Sequence, residues 1–176
     1  MGNTVILPAP VFSSSTTLDS VEKFKCDVVF GTPTMYVDLL REKKLNEVTG
    51  GKSHDLSSVR YIYMSGAPCP EKITREMHKL LFPNLKRVVI PYGTTEVSPV
   101  ITFPKLSMPD EKEHTTVGSP LDHSEVKIVD PATGVTVKRG ETGEVWTRSI
   151  YVFPGYWNSP EKTAETIDNR GWYKTG

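Results

Sequence analysis

Cysteine is scarce in this 176-residue chain, and its scarcity removes several chemistries at once. Cys26 and Cys69 stand far apart with no CxxC, so neither a disulfide framework nor a thiolate zinc cluster has sequence support. His54, His78, His114 and His123 show no HxxxH or HExxH spacing, so a structural or catalytic zinc is not expected. No asparagine starts a glycosylation sequon. The longest apolar run, Val5 to Phe12, is interrupted by Pro8 and Pro10 and falls far short of the roughly 18 residues that a spanning helix needs. Neither charge dominates: 21 Lys and Arg face 21 Asp and Glu, so no basic field exists to gather nucleic-acid phosphates. No basic residue precedes the first apolar stretch, and Ile6 stands where N-myristoylation requires Ser or Thr. These absences favour an intracellular compartment, mitochondrial or cytoplasmic, with no transmembrane segment and no nucleic-acid partner.

What is present is a turn-rich globular chain, with 13 Gly, 14 Pro and 37% hydrophobic residues. Its length suffices to bury roughly 70% of the unfolded surface. Up to about residue 103, short β-branched runs alternate with helical patterns. Val5–Leu7, Cys26–Phe30, Val59–Met64 and Arg87–Ile90 read as buried strands. Thr17–Phe24, with Leu18, Val21 and Phe24 on one face, reads as a helix, as do Pro33 to about Arg41 and Pro70–Phe82; the last two open on proline, whose missing N–H is harmless in a first turn. Such alternation predicts an α/β fold with a parallel sheet flanked by helices over residues 1–103. Pro104–Thr116 reads as a loop whose Asp110, Glu111 and Glu113 form a solvated acidic surface. Beyond it, Glu125–Val129, Val135–Lys138 and Glu144–Arg148 are separated by Gly-containing turns, which predicts a small antiparallel β subdomain over residues 104–176. A final helix spans about Pro160–Ile167 with Ser159 as its cap. Trp146, Trp157 and Trp172 are expected to pack this subdomain.

Two loops follow predicted parallel strands at their carboxyl ends, where open α/β sheets bind ligands. Ser65-Gly66-Ala67-Pro68 offers small residues around a glycine, suited to a flat ring and equally to a tight turn. Pro91-Tyr92-Gly93-Thr94-Thr95-Glu96 carries more chemistry. Tyr92 can stack on a heteroaromatic base, Thr94 and Thr95 can donate to phosphate oxygens, and Glu96 supplies the hard oxygen that Mg2+ takes beside a polyphosphate. The segment lacks a P-loop lysine, and a capped turn with Thr94 or Thr95 at the N-cap is its plain structural reading. Cys69 has no base beside it and reads as a bystander. Ser65 is no nucleophile elbow, because Tyr63 replaces the first glycine.

The segment YGTTE resembles the YGxTE signature of the adenylate-forming (AMP-binding) superfamily, and four further segments stand in that family's order. SGAP (Ser65–Pro68) is similar to its adenine-contacting loop, GETGEVWTRS (Gly140–Ser149) to its GE-type strand motif, and GYWN (Gly155–Asn158) and GWYKTG (Gly171–Gly176) to its later motifs. The opening GNTVILPAPVF and the segment FGTPTMYVDLL resemble the acyl-CoA synthetase branch, in particular its medium-chain, mitochondrial type. The resemblance implies an acid–thiol ligase that joins a fatty or other carboxylic acid to ATP, giving acyl-AMP, and then transfers the acyl group to coenzyme A. It implies that Gly66, Ala67 and Pro68 frame adenine, that Tyr92 stacks on it beside Gly93 and Thr94, that Thr95 binds the α-phosphate and that Glu96 ligates Mg2+. Thr34, Met35, Tyr36, Pro99 and Val100 become candidates for an acyl channel, although Met35 equally suits the core.

Departures from the pattern accompany the likeness. The family's Gly-rich phosphate loop, the aspartate after Gly176 and the carboxy-terminal domain with its lysine have no counterpart here. The chain is therefore expected to be a partial and, by itself, inactive ligase. Pro91 also stands where a small residue is usual, and its rigid φ bears on acyl selectivity. The alternatives are a non-catalytic nucleotide-binding or interaction module, or an amino-acid-adenylating or luciferase-like enzyme.

Overall fold

The computed structural model describes residues 2–105, 107–109 and 112–176, in two compact units. The first comprises Met1–Ile90 and Pro104–Thr116, the second Pro91–Phe103 and Val117–Gly176. The residue 103/104 division expected from sequence is one of three points where the chain passes between them; the stretch 91–103 groups with the later residues.

In the first unit, helix α1 (Ser14–Phe24) starts at Ser13, whose side chain accepts from Thr16 N, and ends at Lys25 in a left-handed conformation. Leu18 and Val21 are buried, but Phe24 is half exposed. Each three-residue step falls about 60° short of a full turn, so by Phe24 the helix has rotated its ring off the buried stripe. Strand β1 (Val28–Gly31) leads to α2 (Pro33–Thr49), capped by Thr32 and stopped by Gly50 at φ 69°. This helix runs two turns beyond Arg41. The extension buries little, since Leu45 and Val48 are exposed, so the apolar pattern gives no sign of it; strong helix formers and a Lys43–Glu47 pair at i,i+4 carry it to Gly50.

Strand β2 (Tyr61–Met64), helix α3 (Glu71–Glu76) and strand β3 (Arg87–Val89) complete the layer, with order β1-β2-β3 and both pairings parallel. Register sets Val29, Ile62 and Val88 abreast, and all three are buried against α1, α2 and the segment after α3. Each such side chain contributes about 1.5–3 kcal/mol by leaving water. The helix expected over 70–82 changes character partway: Met77–Leu81 forms a π-helical turn closed by Phe82 N to Met77 O at 3.0 Å. The wider turn brings Met77, Leu81 and Phe82 into the core together.

Two expectations fail in this unit. Val5–Leu7 forms no strand, and Val5 and Leu7 are exposed; Pro8 and Pro10 lack the N–H a ladder needs, and no described strand pairs with the segment. Glu113 is no solvated acid: it is only 3% exposed, accepts from His78 Nε2 at 2.9 Å and is also bonded by the backbone N–H of Val88. Asp110 and Glu111 lie outside the described residues.

The second unit pairs β4 (Thr102–Phe103) with β5 (Ser119–Pro120), and builds an antiparallel sheet from β6 (Ser124–Val129), β7 (Glu144–Ser149) and β8 (Tyr173–Lys174). Val97, Ile101 and Tyr173 form its buried cluster, flanked by Tyr92, Val126, Val152, Phe153 and Ile167. Val135–Lys138 does not become a strand. It makes one bridge, Thr136 to Val129, because its exposed side chains have no layer to bury against. Helix α4 (Pro160–Thr166) begins after Ser159, whose side chain makes no capping bond. Trp146 and Trp172 hold Lys127 Nζ between their rings at 4.6 and 4.2 Å, whereas Trp157, expected to pack, is 92% exposed. No helix among the described residues is long and apolar enough to cross a membrane.

Candidate functional site

The Tyr92–Glu96 segment is tied down from both sides. Tyr92 bridges Thr102: Ile101 N and Thr102 N donate to Tyr92 O at 2.8 and 3.1 Å, and Tyr92 N donates to Thr102 O at 3.2 Å. This return path draws Pro99 and Val100 across Gly93. A Cβ on Gly93 would overlap the Pro99 carbonyl and lie 2.6 Å from Val100 Cα. Gly93 is thus required by close backbone approach. Thr94 precedes the 3-10 turn Thr95–Val97 as its N-cap, yet its hydroxyl does not cap; it donates to the Tyr173 phenol oxygen at 3.4 Å. The Thr95 side chain is exposed, and Val97 anchors the turn in the buried cluster.

Glu96 is held at two levels by a segment 60 residues away in sequence. Its backbone carbonyl accepts from Phe153 N at 2.8 Å, and its carboxylate accepts from the Tyr156 hydroxyl at 2.9 Å. Its own backbone N–H and then the Tyr156 hydroxyl hold the carboxyl below its usual range, against partial desolvation. Tyr156 is positioned in turn. Its backbone N–H donates to Thr163 Oγ1 at 2.9 Å, its ring meets Phe153 edge-on at 4.8 Å, and Lys162 Nζ lies 4.6 Å from its centroid. Gly155, at φ 144°, has Thr163 Cγ2 only 2.6 Å from where a Cβ would stand. The bond to Glu96 raises the Tyr156 phenol pKa, and burial foremost raises that of Tyr173. Neither tyrosine was singled out from sequence. Their signal was their place inside GYWN and GWYKTG.

The other candidates belong to the first unit. Gly66 follows β2 at φ 85°, a left-handed conformation that favours glycine, with Thr32 Cγ2 3.6 Å from its would-be Cβ. Ala67 and Pro68 lead to Cys69, whose thiol donates to Met64 O and Ala67 O at 3.4 Å and whose pKa is raised by burial, as suits a bystander. At the start of α2, Thr34 and Thr32 hydroxyls are 2.9 Å apart, and Met35 Sδ accepts from Thr32 N. Tyr36 is fully buried, with its hydroxyl 2.9 Å from Val29 O and 3.1 Å from Tyr63 O, so its surface is committed to the core. Pro99 is exposed and Val100 half-buried in the second unit.

A carboxylate kept ionised, hydroxyls from adjacent threonines and an aromatic ring on one short turn make a donor set for phosphate and a hard cation. The model of a family described as AMP-binding enzyme matches residues 1–157. A medium-chain acyl-CoA ligase from zebrafish (Danio rerio), ACSF2, named as mitochondrial, is 42% identical over 177 residues, which is 99% of this chain and 28% of the relative. ATP-bound MatB from Rhodopseudomonas palustris superposes with a TM-score of 0.77 at 28% identity, over 96% of this chain and 31% of that one. The anthranilate CoA ligase AuaEII, in complex with anthranoyl-AMP, superposes with a TM-score of 0.77 at 26% identity, over 93% of this chain and 29% of that one. The chain thus spans just over a quarter of the length of the curated relative it matches. Since the family model runs from the first residue through Tyr156, the partner of Glu96, this chain belongs to the AMP-binding enzyme family.

Proposed function

We propose that this chain carries the nucleotide- and metal-handling segments of an ATP-dependent acyl-CoA synthetase. In the first step a fatty carboxylate oxygen bonds to the α-phosphorus of ATP and pyrophosphate leaves. In the second, the thiol of coenzyme A takes the acyl group and AMP leaves. The observation that carries the reading is the Glu96 carboxylate, held ionised and oriented by the Tyr156 hydroxyl at 2.9 Å on a turn fixed by backbone bonds.

In this reading Glu96 is the protein's Mg2+ ligand. A single half-buried carboxylate fits that ion, which keeps most of its waters and is held by one or two carboxylates beside substrate phosphates. Bound there, Mg2+ supplies neutralisation of phosphate charge. Tyr156 keeps the Glu96 oxygen aimed and deprotonated. The exposed Thr95 hydroxyl donates to the α-phosphate, and Thr94 is held by Tyr173. Tyr92, braced by Thr102, offers its ring to adenine; in the first unit, the turn at Gly66, Ala67 and Pro68 allows close approach of a flat ring. Nothing here needs a protein nucleophile: the rate gain comes from fixed donors and held geometry.

The zebrafish and AuaEII ligases support acyl–CoA chemistry, and the former's name supports a medium-chain fatty acid and a mitochondrial setting. In the full-length protein, Glu96→Gln is expected to lower ATP–pyrophosphate exchange by about 100-fold. Exchange that is unchanged at limiting Mg2+ removes Glu96 from this role. Thioester formation across fatty acids of graded length is expected to peak at medium chains; a maximum with an aromatic or amino acid replaces the substrate class.

A further inference from the structure

His78 lies 35 residues before the Glu113-His114 pair, a spacing that matches no metal-binding pattern and gave no expectation of zinc. The fold of the first unit closes that gap. His78 projects from the π-helical turn Met77–Leu81, and widened turns of this kind occur often at functional sites. One ligating atom from each of His78, Glu113 and His114 lies within 4.8 Å of the others. The two imidazoles meet edge to face, 5.8 Å between centroids at 88°. Glu113 is almost wholly buried, and a carboxylate out of water calls for a positive partner. His114 Nδ1 is enclosed and has no hydrogen-bond partner among the described residues, a rare condition for a buried polar atom.

We propose that His78, Glu113 and His114 form a binding site for a divalent transition-metal ion of the zinc class. Two imidazoles and one carboxylate are a borderline donor set, suited to Zn2+ and not to the all-oxygen shells that Mg2+ and Ca2+ take. Coordination sets a cation beside the buried carboxylate and against the His114 imidazole, whose Nδ1 is otherwise without a partner. Three protein ligands leave one position of a tetrahedron for water. The ion would tie Glu113 and His114 to His78 in the turn after α3, beside β3, where Glu113 already meets the Val88 N–H. The other clustered acid–histidine set, Asp19, Glu22 and His54, is already served by a cation: Lys52 Nζ lies 2.5 Å from Asp19 and 2.9 Å from Glu22.

The test uses the full-length, tag-free protein stripped with chelator. Zn2+ is titrated calorimetrically, and Co2+ is added as a spectroscopic probe of tetrahedral ligation. His114→Ala is expected to weaken the affinity of one Zn2+ equivalent at least about tenfold and to abolish the corresponding Co2+ spectrum. His78→Gln, on a more exposed side chain, is expected to do the same with the fold intact by circular dichroism, which guards against a Glu113→Gln variant that fails to fold. His54→Gln is expected to change nothing. The proposal is overturned if no saturable Zn2+ equivalent binds, if His114→Ala and His78→Gln both retain it, or if His54→Gln is the variant that loses it.

Discussion

The two units reach order by different means. The first is a layer of three parallel strands under helices, with one apolar cluster that draws on every strand and on α1 and α2. The second buries only Val97, Ile101, Val129 and Tyr173 among its described hydrophobic residues, and its turns are held by backbone bridges, tyrosine hydroxyls and rings stacked with ammonium groups. An apolar cluster tolerates polar variety at its edges but punishes lost volume. A frame of close backbone approaches and single polar bonds punishes an added methyl or a missing hydroxyl. The candidate ligands for phosphate and Mg2+ lie in the second kind of structure, where a side chain can be aimed by one bond.

Nature has supplied a separate reporter for each unit. Both cysteines, Cys26 and Cys69, lie in the first unit and all three tryptophans in the second. Burial pushes both thiols above their usual pKa, so alkylation is slow until the first unit opens. The largest effect is expected from Ile62→Ala, which leaves a cavity between β1 and β3 and costs about 2–5 kcal/mol; the urea midpoint for cysteine alkylation falls more than that for tryptophan fluorescence. Equal shifts in both probes show that the two units do not unfold separately. Next comes Gly93→Ala, where the added carbon meets the Pro99 carbonyl and Val100 Cα; about 1–3 kcal/mol is lost, read mainly in fluorescence. An unshifted midpoint shows that the return strand yields easily.

Tyr156→Phe keeps the ring packed on Phe153 and deletes only the hydroxyl that aims Glu96. On the proposed Mg2+ role of Glu96, the Mg2+ concentration for half-maximal ATP–pyrophosphate exchange in the full-length protein is expected to rise about tenfold, the size typical of a residue that orients a metal ligand. No change in that requirement, with folding intact, makes the Tyr156–Glu96 bond incidental. The smallest effect is expected from Ser159→Ala. N-cap serines are commonly worth about 1 kcal/mol, but this one makes no capping bond, so unfolding of the variant should match the parent within about 0.5 kcal/mol. A larger loss means that the cap forms in solution.

Elements whose signal is local were legible. Pro33 after Thr32 marks the start of α2, and Val59–Met64 and Arg87–Ile90 show the continuous apolar character of strands buried in a parallel sheet. In YGTTE the residue types offered donors for phosphate and a hard cation, and equally a capped turn. Where the outcome depended on neighbours, the reading failed. Val5–Leu7 and Val135–Lys138 have strand composition and no ladder to join, while the charged tail of α2 is helical without an apolar stripe. Glu113 sits in a run of charges that reads as solvated, yet it is buried because His78 and the Val88 N–H meet it there.

The order of residues along the chain determined the alternation of strand and helix, the start of α2 after Thr32, and the chemical types available on each loop, because those depend on backbone preferences and side chains within a few positions. Only the tertiary structure decided that Glu96 is aimed by Tyr156, that Gly93 serves a passing backbone, and that His78 faces Glu113 and His114. Those pairings span from 6 to 60 residues of sequence. The free energy that selects them comes from burying the segments between, which no window on a single stretch contains.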